Sequence, residues 1–380
     1  MAENGKAPVL VVVQLSGGND FMNTIVPYTN GNYYDARPVL NVPQEQVLPL
    51  NDTLGFHPNA EALKDLYEEG VVAVVQGIGY PDSNRSHFRG MDIWHTCEPD
   101  RLVLEGWLGK VLRDLDPDKE NVLTGVSFGR GLPRAMAASG VPVTSVADLD
   151  TYGLMGGIGE AGERQAALQS FRSMYAGTDG GGVMDYLAQT GLDVLTGADI
   201  IKQAPAMYES TVQYADNPIA NSLRDVARVH TAGLGTRIFY TQHGGYDTHA
   251  TQAAVHPRLL SELTGALRDF MQDLREHDAS DEVAILVFTE FGRRMKDNAS
   301  GTDHGSGGGA FIIGDRVAGG LYAEYPSLDP ADWLYGEDMR HHIDFRGIYA
   351  TMLEQWMGMD ATAFVGGTFE QLKPFRGGGQ

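Results

Sequence analysis

Cys97 is the single cysteine in these 380 residues. An internal disulfide is therefore excluded, and no Cys/His zinc pattern can be drawn. Basic residues are also scarce: 28 Lys plus Arg stand against 50 Asp plus Glu, a formal net charge of −22. Counterion release on nucleic acid needs a basic face, and so does attraction to an anionic membrane surface, so neither is expected as a partner. No stretch approaches the roughly 18 apolar residues of a membrane span. The opening MAENGKAPVLVVVQLSGGND has only a short apolar run and no small-residue cleavage site, so it reads as a first strand rather than a signal peptide. The chain as given reads as cytoplasmic, or as periplasmic or exported if a leader was removed.

A hydrophobic fraction of 42% and a charged fraction of 21% are those of a folded globular chain. Glycine is abundant, 48 residues without a collagen period, so many loops turn tightly or let backbone approach something closely. Continuous apolar runs rich in Val and Ile predict strands buried on both faces at Val9–Leu15, Val71–Gln76, Arg237–Gln242, Val283–Thr289 and Ala310–Ile313. Helical patterns lie between them, at Ala60–Glu69 and at Pro257–Arg275, where Leu260, Leu263, Leu267, Phe270 and Leu274 share one face. The alternation predicts an α/β fold with a mostly parallel sheet. Residues 154–232 lack a convincing strand and read as a helical insertion or cap, or equally as ordinary crossover helices, between a first core part at 1–153 and a second at 233–375. The tail 376–380 reads as disordered.

In an open α/β sheet, ligands bind beyond the carboxyl ends of the strands. The residues just after each predicted strand are mostly of metal-ligand type. SGGND brings Asp20; the next loop, GIGYPDSNRSHF, brings Ser83, Arg85, Ser86 and His87; HGGYDTH brings His243, Asp247 and His249. EFGRR then brings Glu290, and TDHG brings Asp303 and His304. Singly, each has an ordinary explanation: Asp20 or Ser86 as a helix cap, Glu290 with Arg293 and Arg294 as a surface ion pair. Together, delivered by separate strand ends to one edge, they predict a divalent metal site of one or two ions, with Zn, Mn, Mg or Ca all open.

The motifs LSGGNDFMNTIVPY, NRSHFRGMDIWHT with GWLG, HGGYDTHATQ, FTEFGRR, TDHG and DFRGIYATMLEQW together resemble the DUF1501 family, placed in the alkaline phosphatase and sulfatase superfamily. The resemblance implies an alkaline phosphatase-like three-layer sandwich and a hydrolase of phosphate or sulfate esters. It implies Asp20, Asp247, His249, Glu290 and His304 as metal ligands, with Asp303 assisting. Ser86 would be the nucleophile, with Ser83 as runner-up, and His87 beside it; Arg85 or Arg293 would neutralise the transferring group. Phe291 stands where the superfamily has a ligand histidine, and Cys97 in HTCEPD does not fit the formylglycine motif. Two other functions compete. One is a non-catalytic metal- or anion-binding member of the superfamily. The other is a metal-independent GDS-like serine esterase using Ser16, with His341, His342 and Asp344 as the nearest partners. The expected partner is a small anionic ester.

Overall fold

The computed structural model describes residues 6–129, 131–150 and 200–377, with isolated positions between 162 and 197. Its centre is a nine-stranded sheet. In chain order the strands are β1 (Val9–Ser16), β2 (Val72–Gly79), β3 (Gly125–Phe128), β4 (Thr144–Val146), β5 (Ile238–Gly244), β6 (Val283–Thr289), β7 (Gly308–Ile313), β8 (Gly320–Tyr322) and β9 (Ile343–Asp344). Across the sheet the order is β8-β2-β7-β6-β1-β5-β3-β4, with β9 also on β2. Every pairing is parallel except the two made by β7.

Side chains alternate along β1 between two cores. Val9, Val11, Val13 and Leu15 join α1 (Glu61–Glu68), α4 (Pro218–Thr231) and α5 (Gln252–Glu276) on one face. Leu10 and Val12 face α2 (His87–Thr96), α3 (Trp107–Leu115) and α6 (Phe345–Thr351) on the other. The result is a helix–sheet–helix sandwich, and burial on both faces is why the strands read as unbroken apolar runs.

The five predicted strands are present, and the antiparallel direction of β7 is the feature that apolar pattern leaves undefined. β3 and β4, of four and three residues, are too short for periodicity to reveal. Helix α5 starts at Gln252 rather than at Pro257, which lies inside it and gives up one backbone hydrogen bond. Of the segment 154–232, the part before residue 200 lies almost wholly outside the described residues. Helix α4 packs on the same core as α5 and leads into β5. Residues 378–380 of the tail also lie outside the described residues.

Candidate metal centre

Parallel register aligns Ser16 with Gly244, and Leu15 with Thr289, so the chain leaves β1, β5 and β6 at one level. The loops can then converge because of two glycines. Gly17, at φ +125°, has no room for a Cβ against the backbone of Tyr246 and Asp247, and a Cβ on Gly18 (φ +78°) would meet the Phe291 ring. Arg293 ties the same loops together from below. Its buried guanidinium donates to the carbonyls of Gly17, Gly18 (2.7 Å), Tyr246 (2.8 Å) and Thr302 (2.8 Å), and to Asp247 Oδ1 (2.9 Å).

Above this floor, three imidazoles and one carboxylate meet. The donor atoms of His87, Asp247 and His304 lie within 4.8 Å of one another. His249 Nε2 joins them, 2.9 Å from His304 Nε2 and 3.1 Å from Asp247 Oδ1. His304 Nε2 is itself 2.9 Å from Asp247 Oδ1, and His87 Nε2 is 3.2 Å from Asp247 Oδ2.

Behind each ring stands an oxygen acceptor. His87 Nδ1 faces Glu290 Oε1 at 2.9 Å, His249 Nδ1 faces Asp303 Oδ1 at 3.0 Å, and His304 Nδ1 faces the Arg85 carbonyl at 2.7 Å. These acceptors assign the ring proton to Nδ1 in all three, which turns the Nε2 lone pairs inward. His87 Nε2 is buried and makes no hydrogen bond among the described residues. Lone pairs from two imidazoles 2.9 Å apart, beside a carboxylate, repel unless a proton or a metal ion lies between them.

The electrostatics follow from the same contacts. Burial pushes the Asp247 carboxyl up, but its close contact with His304 and the hydrogen bond and charge of Arg293 outweigh it and hold the group well below the usual range. The hydrogen bond to Glu290 raises His87, whereas burial lowers His304. The hydrogen bond from His249 lowers Asp303.

The residues singled out in the sequence divide into three groups. Asp247, His249 and His304 point into the centre, and His87 joins them as a third imidazole. Glu290 and Asp303 stand behind it as acceptors for His87 and His249. Asp20 lies elsewhere. It is 1% exposed, N-caps the turn Phe21–Thr24, and is held by Arg37 through Nη1 to Oδ2 (2.6 Å) and Nη2 to Oδ1 (3.2 Å), with Gln252 on Oδ2 (2.5 Å). Burial raises its pKa and the Arg37 charge more than reverses that. Both oxygens are spent, which removes Asp20 from the ligand set.

Arg293 is likewise spent, on four backbone carbonyls and on Asp247. The Arg85 side chain pairs with Asp338 at 3.5 Å. Ser86 is the exposed N-cap residue of α2, its hydroxyl making no cap hydrogen bond. Phe291 is buried and packs its ring on His87 (5.0 Å between centroids) and His304 (4.7 Å). His243 turns away, to Tyr246 and Glu262. Asp344 is committed to Arg346.

A cavity of about 490 Å³ opens beside the centre and shares His87, Asp247 and Glu290 with it. Its remaining wall includes Gln14, Ser16, Asp92, His95 and Arg134, together with Phe88 and Met91. Gln14, His95 and Arg134 were not foreseen. Gln14 had a signal, as a polar residue interrupting the apolar run VLVVVQLS, and His95 lies two helical turns after His87.

Residues 102–377 match the family described as "Protein of unknown function (DUF1501)". The chain belongs to this family. The DUF1501 match takes in Asp247, His249, Glu290, Asp303 and His304, whereas His87 and Asp20 precede it. Among curated proteins, none matches the chain. A protein in the alkaline phosphatase superfamily from Vibrio parahaemolyticus is 12% identical over 98% of this chain and 71% of its own, with a TM-score of 0.41. A sulfatase from Pseudoalteromonas sp. is 13% identical over 87% of this chain and 67% of its own, at 0.38. The C-terminal periplasmic domain of EcEptC from Escherichia coli, in complex with Zn, is 7% identical over 83% of this chain and 75% of its own, also at 0.38.

Proposed function

We propose that this DUF1501 chain is a divalent-metal-dependent hydrolase of phosphate or sulfate esters, with one ion held by His87, Asp247, His249 and His304. The observation that carries the reading is the inward convergence of three Nε2 atoms and a carboxylate, each ring fixed from behind by an oxygen. Metal-binding histidines take that arrangement. Three imidazoles and a single carboxylate suit Zn or Mn better than Mg or Ca, which favour oxygen sets. An ion there supplies Lewis-acid polarisation of an ester oxygen and charge for an anionic group.

Two features favour catalysis over a structural ion. The ligand side chains are partly open to solvent, 34% for His87, 42% for His249 and 47% for Asp247, and the centre borders a cavity large enough for a small ester. The substrate would enter there. Ser86, exposed immediately before His87, is the hydroxyl nucleophile in this reading, placed by a helix N-terminus whose dipole favours negative charge. The non-catalytic alternative draws on one observation: Ser86 is not among the residues that line the cavity.

The test is hydrolysis of small aryl phosphate and sulfate esters by metal-stripped protein, with Zn, Mn, Mg or Ca restored singly. Activity returning with Zn or Mn, and falling at least a hundredfold in Ser86→Ala with the ion retained, is expected. A chain that holds the ion and hydrolyses neither ester class is a metal-binding protein without this activity.

A further inference from the structure

The cavity wall presents an imbalance. Asp92, Asp247 and Glu290 are carboxylates, so an anion entering the cavity has few protein donors to meet. Arg134 is one, although its guanidinium already pairs with Asp92. The other is a hydroxyl with an elaborate support. Ser16 Oγ accepts from Gln14 Nε2 at 2.8 Å. Gln14 Oε1 in turn faces His95 Nε2 at 2.8 Å and accepts from the Tyr240 hydroxyl.

Gln14, His95 and Tyr240 are all buried, 3%, 5% and 0% exposed. Burial, reinforced by the nearby Arg134 charge, holds His95 neutral with a pKa of about 3. With the Tyr240 hydroxyl and a His95 Nε2–H both donating to its oxygen, the Gln14 amide is assigned with NH₂ toward Ser16. Ser16 Oγ therefore receives a donor and retains its own hydrogen, for which no described residue is an acceptor. A partly exposed serine at the end of β1 is held so that it donates into the cavity.

We propose that Ser16 is a substrate-binding donor to a non-bridging oxygen of a tetrahedral oxyanion, phosphate or sulfate, and that Gln14, His95 and Tyr240 are positioning residues acting through it. This rests on the metal-centre reading above. The ligand is recognised by the ion on one side and the Ser16 hydroxyl on the other, and a hydrogen bond to a charged oxygen is among the stronger kinds.

The test is calorimetric titration of the Zn-loaded protein with inorganic phosphate and with sulfate, metal content being measured on the same samples. Ser16→Ala is expected to keep the ion and to bind the anion roughly tenfold more weakly. Ser16→Thr, which keeps a hydroxyl, is expected to restore most of that affinity. Undiminished anion binding by Ser16→Ala with the ion in place overturns the proposal and leaves the metal centre standing, as does equal weakening in both variants. Loss of the ion from Ser16→Ala overturns it too, because the serine would then be part of the metal site. Wild-type protein that holds the ion but binds neither anion overturns the proposal and the ester reading together, and wild-type protein that holds no ion removes the metal centre first.

Discussion

Asp20 and Asp247 are both aspartates in loops at the carboxyl edge of the sheet, and their neighbours give them opposite work. Asp247 has a partly exposed carboxylate shared by histidines. Asp20 is sealed in an ion pair with Arg37, whose side chain is 0% exposed. Removing one member of a buried pair strands the other charge, at a cost of about 3–5 kcal/mol. Asp20→Asn is therefore expected to lose about that much stability in urea unfolding while keeping its ion; an intact stability with an emptied site contradicts the assignment. The difference between the two aspartates is invisible in sequence because Arg37 lies in a separate helix turn, with no motif linking it to Asp20. His87 was legible as a site residue but not as a ligand, since its role depends on Glu290 reaching its Nδ1 from another strand.

At the scale of elements, the centre exists because β1, β5 and β6 end at one level and their loops can touch. Val-rich strands buried on both faces announce themselves, so these ends were readable, and so was the ligand chemistry collected there. The short strands β3 and β4 and the direction of β7 were not, because three to six residues carry too little pattern and strand direction leaves no mark on it. Convergence rests on Gly17. Its φ of +125° and the backbone of Tyr246 and Asp247 against it leave an alanine both strained and overlapping. Gly17→Ala is expected to destabilise by about 3 kcal/mol and to release the ion. Gly31, with open space around its Cβ position, is the control, and Gly31→Ala is expected to change stability by less than about 1 kcal/mol. Equal effects at both positions contradict the account of the loops.

Over the whole molecule, an acidic chain of net charge −22 would repel an anionic substrate unless a local positive charge outweighs it. In the proposed reading the ion would bring two positive charges to the cavity, set against the carboxylates of Asp247 and Glu290 there. Acid sensitivity is a second global property. Burial lowers His95 to about 3 and both His57 and His256 to about 4. Below about pH 6.5 the unfolded chain takes up protons at these rings and the folded one does not, so stability is full above that pH and declines toward pH 4. His87, raised by Glu290, His277, also raised, and Asp225 (to about 6), Asp269 and Asp338, raised by burial, work in the opposite direction, but burial also lowers His243, His304 and His341, and among the described residues the six lowered histidines outnumber these five. The metal-free protein is expected to melt at a lower temperature at pH 5 than at pH 7. A melting temperature that holds or rises over that interval contradicts it.

Metal content tests the central claim most directly. Protein equilibrated with Zn or Mn and freed of excess is measured for bound ion in wild type, His304→Ala and Asp20→Asn. The expected result is one ion per chain in wild type and in Asp20→Asn, and none in His304→Ala. A metal-free wild type, or an ion that survives His304→Ala and is lost in Asp20→Asn, contradicts it.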